Sequence, residues 1–286
     1  VSAGKLSSIE NRYNFIFIFK KCFMNMPYLP PEILGKEHVG TPLLLIPGLG
    51  ADGKVWASAK VQLAQHCQII AINNRGVGIS QDLMKSYTTY DMMEDIIRQM
   101  DALDIEQAHI LGHSLGGAVA QLLAIHHPKR VKKLLLICTR AFFGKKSVFQ
   151  YDLIIKYLEM GLPRELLIQN LFLFLFGTTF FEDEKRAKDL IRLSALMSPN
   201  MTLPNYRLQV QAAMMHDSRK RLNEISAPTL VMIGAEDVIC LPKYSLQLSS
   251  TIPAAETIVL ENAGHMPFVE AEALFVENIF NFLRRE

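Results

Sequence analysis

Short, continuously apolar runs alternate with helix-length segments, and this alternation constrains the fold more than any other feature of the sequence. TPLLLIP, QIIAIN, AHILG and KKLLLICT fall in turn between residues 41 and 139. Runs that are apolar throughout, rather than at every second residue, belong to strands buried on both faces. Helical patterns separate them. VWASAKVQLAQ follows the first run, and a stripe of Met92, Met93, Ile96, Ile97, Met100 and Leu103 follows the second. That spacing is one face of a helix, and Thr88 with Asp91 has capping-box spacing just ahead of it. LGGAVAQLLAIHH reads as a helix stopped by Pro128. Strand and helix in alternation predict an α/β fold, a mostly parallel sheet with helices on both faces.

The rhythm breaks after Arg140. Residues 141–220 read as helices and loops without a strand, and ELLIQNLFLFLFG is their most apolar part. Alternation then returns with APTLVMIG, a helix near 243–249, ETIVLE and a terminal helix from about Pro267. The simplest organisation is a core of residues 26–140 and 221–286. A helical cap, 141–220, is inserted after the fourth recognisable strand. Residues 1–25 read as an N-terminal extension or arm. Their YNFIFIF is too short to span a bilayer and lacks the flanks of a signal peptide.

The 286 residues suit one domain carrying an insertion. A net charge of +2, with no basic tract, gives nucleic acid no electrostatic footprint. Four scattered cysteines, Cys22, Cys67, Cys138 and Cys240, form no CxxC pair. Free thiols of a cytoplasmic protein are expected, and neither a metal nor a cofactor.

The glycine-rich loop in LLLIPGLGADGKVW admits three chemistries. Gly48, Gly50 and Gly53 fit a dinucleotide fingerprint, but the acidic residue expected about twenty positions on is replaced by Asn73 and Asn74. Gly48 to Lys54 nearly fits a phosphate loop, but Val55 stands where a magnesium-binding hydroxyl is needed. The third possibility is a backbone donor to an oxyanion, and the rest of the chain favours it. GHSLG, residues 112–116, matches G-x-S-x-G between a strand and a helix. A serine there sits on a sharp turn with its hydroxyl raised over the sheet. MIGAEDVICLP carries Asp237 just past a later strand, and ENAGHMPFVE carries His265 after the last. Ser114, Asp237 and His265 follow in the nucleophile–acid–base order of this architecture. The N–H groups of Leu115 and Leu49 would form the oxyanion hole. Gly48, His113 and Met266 are candidate substrate contacts, although the His113 side chain should point away from the serine hydroxyl. His126 and His127 read as surface or cap residues, and no HExxH or other metal spacing occurs.

With LLLIPGLGADGKVW, NNRGVGIS, YTTYDMMEDIIRQMDALDIEQAHILGHSLGG, GAEDVICLP and NAGHMPFVE, the chain resembles the α/β-hydrolase superfamily over residues 43–284. It is most similar to the small bacterial esterase and lactonase branch. That branch includes the 3-oxoadipate enol-lactone hydrolases and the carboxylesterase of biotin synthesis. The family-like spacing G-x-x-D favours Asp237 over its neighbour Glu236. Two positions depart from the family: Pro47 precedes Gly48 where histidine is usual, and Asn73 replaces an aspartate in a loop that keeps Arg75, Gly76, Gly78 and Ser80. Haloalkane dehalogenases and epoxide hydrolases carry aspartate at the position of Ser114.

The resemblance and the motifs imply an acyl-enzyme on Ser114, formed from a small-molecule carboxylic ester, lactone or thioester by a monomer or homodimer. Neither nucleic acid nor membrane is an expected partner. The alternative is a ligand receptor with slow or no turnover on the same fold. A lipid-facing role would use the apolar lid and the arm. Residues 171–176, Phe180 and Phe181 either line an apolar acyl site or only pack the cap, and apolar helical stripes more often do the latter.

Overall fold

The computed structural model describes residues 26–78, 82–199 and 201–285. The apolar runs become strands β2 (Leu43–Ile46), β3 (Ile69–Ala71), β4 (Ala108–His113), β5 (Val131–Ile137), β6 (Thr229–Gly234) and β7 (Glu256–Leu260). PPEILGKEHVG, the stretch ahead of the glycine loop, adds β1 (Glu32–Leu34). The sheet order is β1-β3-β2-β4-β5-β6-β7, and β1 alone runs antiparallel, against β3. YNFIFIF and the rest of the expected arm, residues 1–25, lie outside the described residues, as does Ser80.

Both faces of the sheet are buried along the inner strands β2 to β6, and successive strand residues divide between them. Leu44, Ile46, Ile110, Leu134, Leu136, Val231 and Ile233 face one core, under α2 (Thr89–Ala102) and α3 (Leu115–His126). Leu43, Leu45, Leu111, Leu135, Ile137, Leu230 and Met232 face the other, under α1 (Ala57–Leu63) and the C-terminal helix. This two-sided burial makes the strands read as unbroken apolar runs. On α2 the Met92, Met93, Ile96, Ile97 and Met100 stripe is buried, and Thr88 with Asp91 closes the capping box.

Among the described residues, five α-helices lie between β5 and β6: α4 (Lys145–Glu159), α5 (Arg164–Leu175), α6 (Thr178–Glu182), α7 (Glu184–Met197) and α8 (Leu203–Met214). They carry a small core of their own, in which Phe172, Phe176, Phe180 and Ala187 pack together. The Phe176 and Phe180 rings stack with centroids 4.1 Å apart. These three phenylalanines therefore hold the insertion together. α9 (Pro242–Thr251) links β6 to β7, and the expected terminal helix breaks at Ala271 into α10 (Pro267–Glu270) and α11 (Glu272–Leu283). Among the described residues no helix is long and apolar enough to cross a membrane.

The topology itself marks a site. From β2 the chain moves outward to β3, whereas β4 lies on the other side of β2. The loops leaving β2 and β4 thus diverge, and the crevice between diverging loops at the strands' C-terminal ends is where open α/β sheets bind ligands.

Candidate active site

Ser114 occupies the turn between β4 and α3 with φ 52° and ψ −117°. A side chain at positive φ is strained and survives only where the surroundings fix it. Here the Ser114 N–H donates to the Ile137 carbonyl at 3.0 Å. Its own carbonyl accepts from the Gly117 and Ala118 amides and from Thr139 Oγ1 at 2.6 Å. The flanking glycines permit the turn by close approach. A Cβ on Gly112 would lie 2.4 Å from the Gly116 carbonyl oxygen, and one on Gly116 only 2.2 Å from that of Ile46. GHSLG is thus a packing requirement that seats α3 against the end of β2.

β6 and β7 are neighbours, so the loops after them meet. His265 Nδ1 bonds to Asp237 Oδ2 at 2.7 Å, with both side chains buried. The other Asp237 oxygen, Oδ1, accepts the N–H groups of Ile239 and Cys240, each at 2.8 Å. A carboxylate so held acts as an oriented acceptor. It draws the imidazole proton to Nδ1 and leaves Nε2 with the free lone pair a general base needs. Glu236, the sequence competitor, turns the other way and accepts from the Thr178 N–H and hydroxyl at 2.8 and 2.7 Å.

The loop after β2 borders the turn from the other side. A Cβ on Gly48 would lie 3.3 Å from Ser114 Cβ. Among the described residues, the N–H groups of Leu49 and Leu115 donate to no other group. The next amide, Gly50, donates to Gln209 Oε1 on α8 at 2.6 Å, so the insertion pins this loop. Asn73 and Asn74, which stand where a dinucleotide site would hold ribose, are committed to the loop itself. Asn74 Nδ2 donates to the Pro47 carbonyl at 2.9 Å, and Asn73 Oδ1 accepts from Gly53 N–H at 2.9 Å.

His113, a candidate substrate contact, turns its ring toward the histidine loop. It is buried, its Nε2 bonds to the His265 carbonyl at 2.8 Å, and its ring packs edge-on against Trp56 and Phe268. Burial and the neighbouring His265 push its pKa well below the usual imidazole value, so it is a neutral prop behind the histidine loop. Met266 is half-buried between the core and the aromatic cluster of the insertion.

Sequence reasoning also missed Glu270, which lies inside the NAGHMPFVE motif. Its carboxylate accepts the N–H groups of Gly264, Met266 and, at 2.6 Å, Gly177. It therefore ties the His265 loop to the α5–α6 junction, where the His265 N–H also reaches the Leu175 carbonyl at 2.8 Å. Burial raises its pKa against the pull of these three amides.

One cluster among the described residues has metal-ligand character. Ligand atoms of Cys138, Asp237 and His265 lie within 4.8 Å of one another. The Asp237 and His265 atoms are already bonded to each other, and burial and the Asp237 charge push the Cys138 thiol up, keeping it protonated. This donor set is better suited to an acid–base pair than to an ion. Cys67, Cys138 and Cys240 are free thiols.

A sheet with this switch point, a strained serine at the end of β4 and an Asp–His pair across β6 and β7 define a hydrolase architecture. Residues 41–272 match the alpha/beta hydrolase fold family, and the chain belongs to it. A pimeloyl-[acyl-carrier protein] methyl ester esterase of Nitrosospira multiformis is 29% identical over 264 residues, 88% of this chain and 97% of that protein. A thermophilic esterase from Thermogutta terrifontis superposes with a TM-score of 0.77 at 25% identity, covering 89% of this chain and 92% of the other. The enol-lactonase from Burkholderia xenovorans, at 24% identity, shares the fold with a TM-score of 0.79 over 91% of this chain and 100% of the other. The protein is an enzyme of the α/β-hydrolase class.

Proposed function

We propose that the protein hydrolyses a small carboxylic ester, lactone or thioester through an acyl-enzyme on Ser114. His265 Nε2 takes the Ser114 proton as Oγ attacks the acyl carbonyl, and Asp237 stabilises the imidazolium that forms. The Leu49 and Leu115 amides receive the negative oxygen of the tetrahedral intermediate. Collapse expels the alcohol or thiol, which takes the proton from His265. Water activated by the same imidazole then releases the acid and restores Ser114. Residues 141–220 act as the cap over a core of 26–140 and 221–286. No step calls for a metal or cofactor, and the three free thiols favour a reducing compartment such as the cytoplasm.

The observation that carries this reading is the 2.7 Å bond between His265 and Asp237, on loops that open at the same sheet edge as a serine at φ 52°. The ester-cleaving relatives support the substrate class. Rapid mixing with p-nitrophenyl acetate tests it. The expected result is a burst of p-nitrophenol stoichiometric with enzyme, followed by steady turnover, both absent from Ser114→Ala. Steady hydrolysis that survives in Ser114→Ala would refute it.

A further inference from the structure

Arg140, just past β5, is buried to 3% exposure. Its hydrogen-bond partners are all neutral: Nη2 donates to the Ile239 carbonyl at 2.5 Å, Nε to Cys240 Sγ at 3.2 Å and Nη1 to Ser147 Oγ at 3.1 Å. The rings of Phe143 and Tyr244 lie 5.0 and 5.8 Å from the guanidinium carbon. Among the described residues no carboxylate makes a direct ion pair with it. A buried charge without a counter-ion is costly enough to need a reason.

The reason lies in one peptide group. The Ile239 carbonyl that accepts from Arg140 belongs to the same amide as the Cys240 N–H, and that N–H donates to Asp237 Oδ1 at 2.8 Å. A positive charge on the oxygen end of an amide polarises it and strengthens the N–H as a donor. The guanidinium therefore reaches the carboxylate through a peptide instead of touching it. Arg140 Nε also grips the Cys240 sulfur, so one side chain holds both the carbonyl and the following side chain of that peptide. Burial opposes the charge on Arg140, but the hydrogen bond to Cys240 and the nearby Asp237 carboxylate favour it, and the group stays ionised.

We propose that Arg140 is a positioning residue that acts through the Ile239–Cys240 peptide, holding Asp237 in register with His265 and supplying the positive charge that keeps it there. This rests on the hydrolytic reading of Ser114. Arg140 touches no reacting atom, and its effect belongs to kcat rather than to substrate affinity.

The test compares wild type, Arg140→Gln and Arg140→Lys. Assembled sites are counted by intact mass after fluorophosphonate labelling, and p-nitrophenyl acetate turnover is expressed per labelled site, so that misfolded molecules drop out. Loss of the acid itself costs about 10⁴-fold in such triads, and a polarised peptide should command a small share of that, so Arg140→Gln is expected to lower kcat about tenfold. KM should stay within about twofold, and Arg140→Lys, which keeps the charge, should retain about a third of wild-type kcat. Unchanged kcat in Arg140→Gln would overturn the proposal. So would a raised KM with kcat intact, the signature of a substrate anchor, or a lysine variant as impaired as the glutamine. If Arg140→Gln does not fold, Arg140→Lys decides alone, and a tenfold fall there counts against the proposal. A wild type that takes up no probe would remove the reading of Ser114 itself, and this role with it.

Discussion

Gly234 closes β6 three residues ahead of Asp237, and replacing it with alanine gives a sharp quantitative test of how the acid–base pair is assembled. A Cβ at this position would fall 1.9 Å from the Gly264 carbonyl oxygen and 2.6 Å from that of Ala263. Real Cβ contacts stay beyond 3.0 Å, so the Gly264 carbonyl must retreat by about 1 Å. Both clashing atoms are backbone, which leaves no rotamer to absorb the strain. Gly264 immediately precedes His265, and Asp237 rides on the end of β6, so the added methyl drives acid and base apart. A misplacement of about 1 Å can cost roughly a hundredfold in rate. Overpacking against rigid backbone should cost about 3 kcal/mol of stability. In a chain of this size that lowers Tm by about 6–12 °C. The assay is kcat/KM on a p-nitrophenyl ester well below Tm, with thermal unfolding alongside. Gly144→Ala is the control, since its Cβ would meet nothing nearer than 3.6 Å. The reasoning fails if Gly234→Ala keeps more than about a third of wild-type kcat/KM with Tm within about 2 °C of wild type.

Two further predictions concern residues that support the fold. Asn73 Nδ2 donates to the Pro30 carbonyl at 2.6 Å while its Oδ1 accepts from Gly53. Asn73→Asp keeps the acceptor but turns a carboxylate oxygen on that carbonyl, so urea unfolding should reveal a loss of about 1 kcal/mol with the probe-labelling rate unchanged; equal stability would contradict it. His216 is buried with its Nδ1 on the Thr89 hydroxyl, and burial lowers its pKa to about 4. The unfolded chain protonates this group near 6.5 and the folded chain only near 4, so acid favours unfolding, with stability draining away as pH falls between those values. From pH 7 to pH 5 its share is about 2 kcal/mol. His216→Gln should flatten the pH dependence by that amount, and identical slopes in the two proteins would refute the assignment.

The strands of the sheet centre were legible because burial on both faces leaves runs such as LLLI and LLLI-like neighbours with no polar residue to blur them. β1 was not, since three residues of an edge strand carry no period. Nor was the break at Ala271, because the apolar stripe runs through it and only the local backbone interrupts the helix. Ser114, Asp237 and His265 stood out because each needs a particular turn, and turns leave glycines in the sequence. The residues that hold them were hidden for the opposite reason. Glu270 meets Gly177 from 93 residues away, and Arg140 meets Cys240 from 100. Such pairs are set by tertiary packing and leave no local pattern. His113 was expected to turn away from the serine hydroxyl, but its bond to the His265 carbonyl, 152 residues on, is set by tertiary packing and left no local pattern. Phe172, Phe176 and Phe180 could have lined an acyl site or packed the insertion, and only their mutual stacking decides for packing.

The central claim is that Ser114 is a nucleophile activated by the His265–Asp237 pair. Intact-mass analysis after exposure to a fluorophosphonate probe tests it most directly, on wild type and on Ser114→Ala of matched Tm. The account expects one covalent adduct per wild-type chain and none on the variant. A folded wild type that takes up no adduct, or a Ser114→Ala protein that is labelled as fast as wild type, would contradict it.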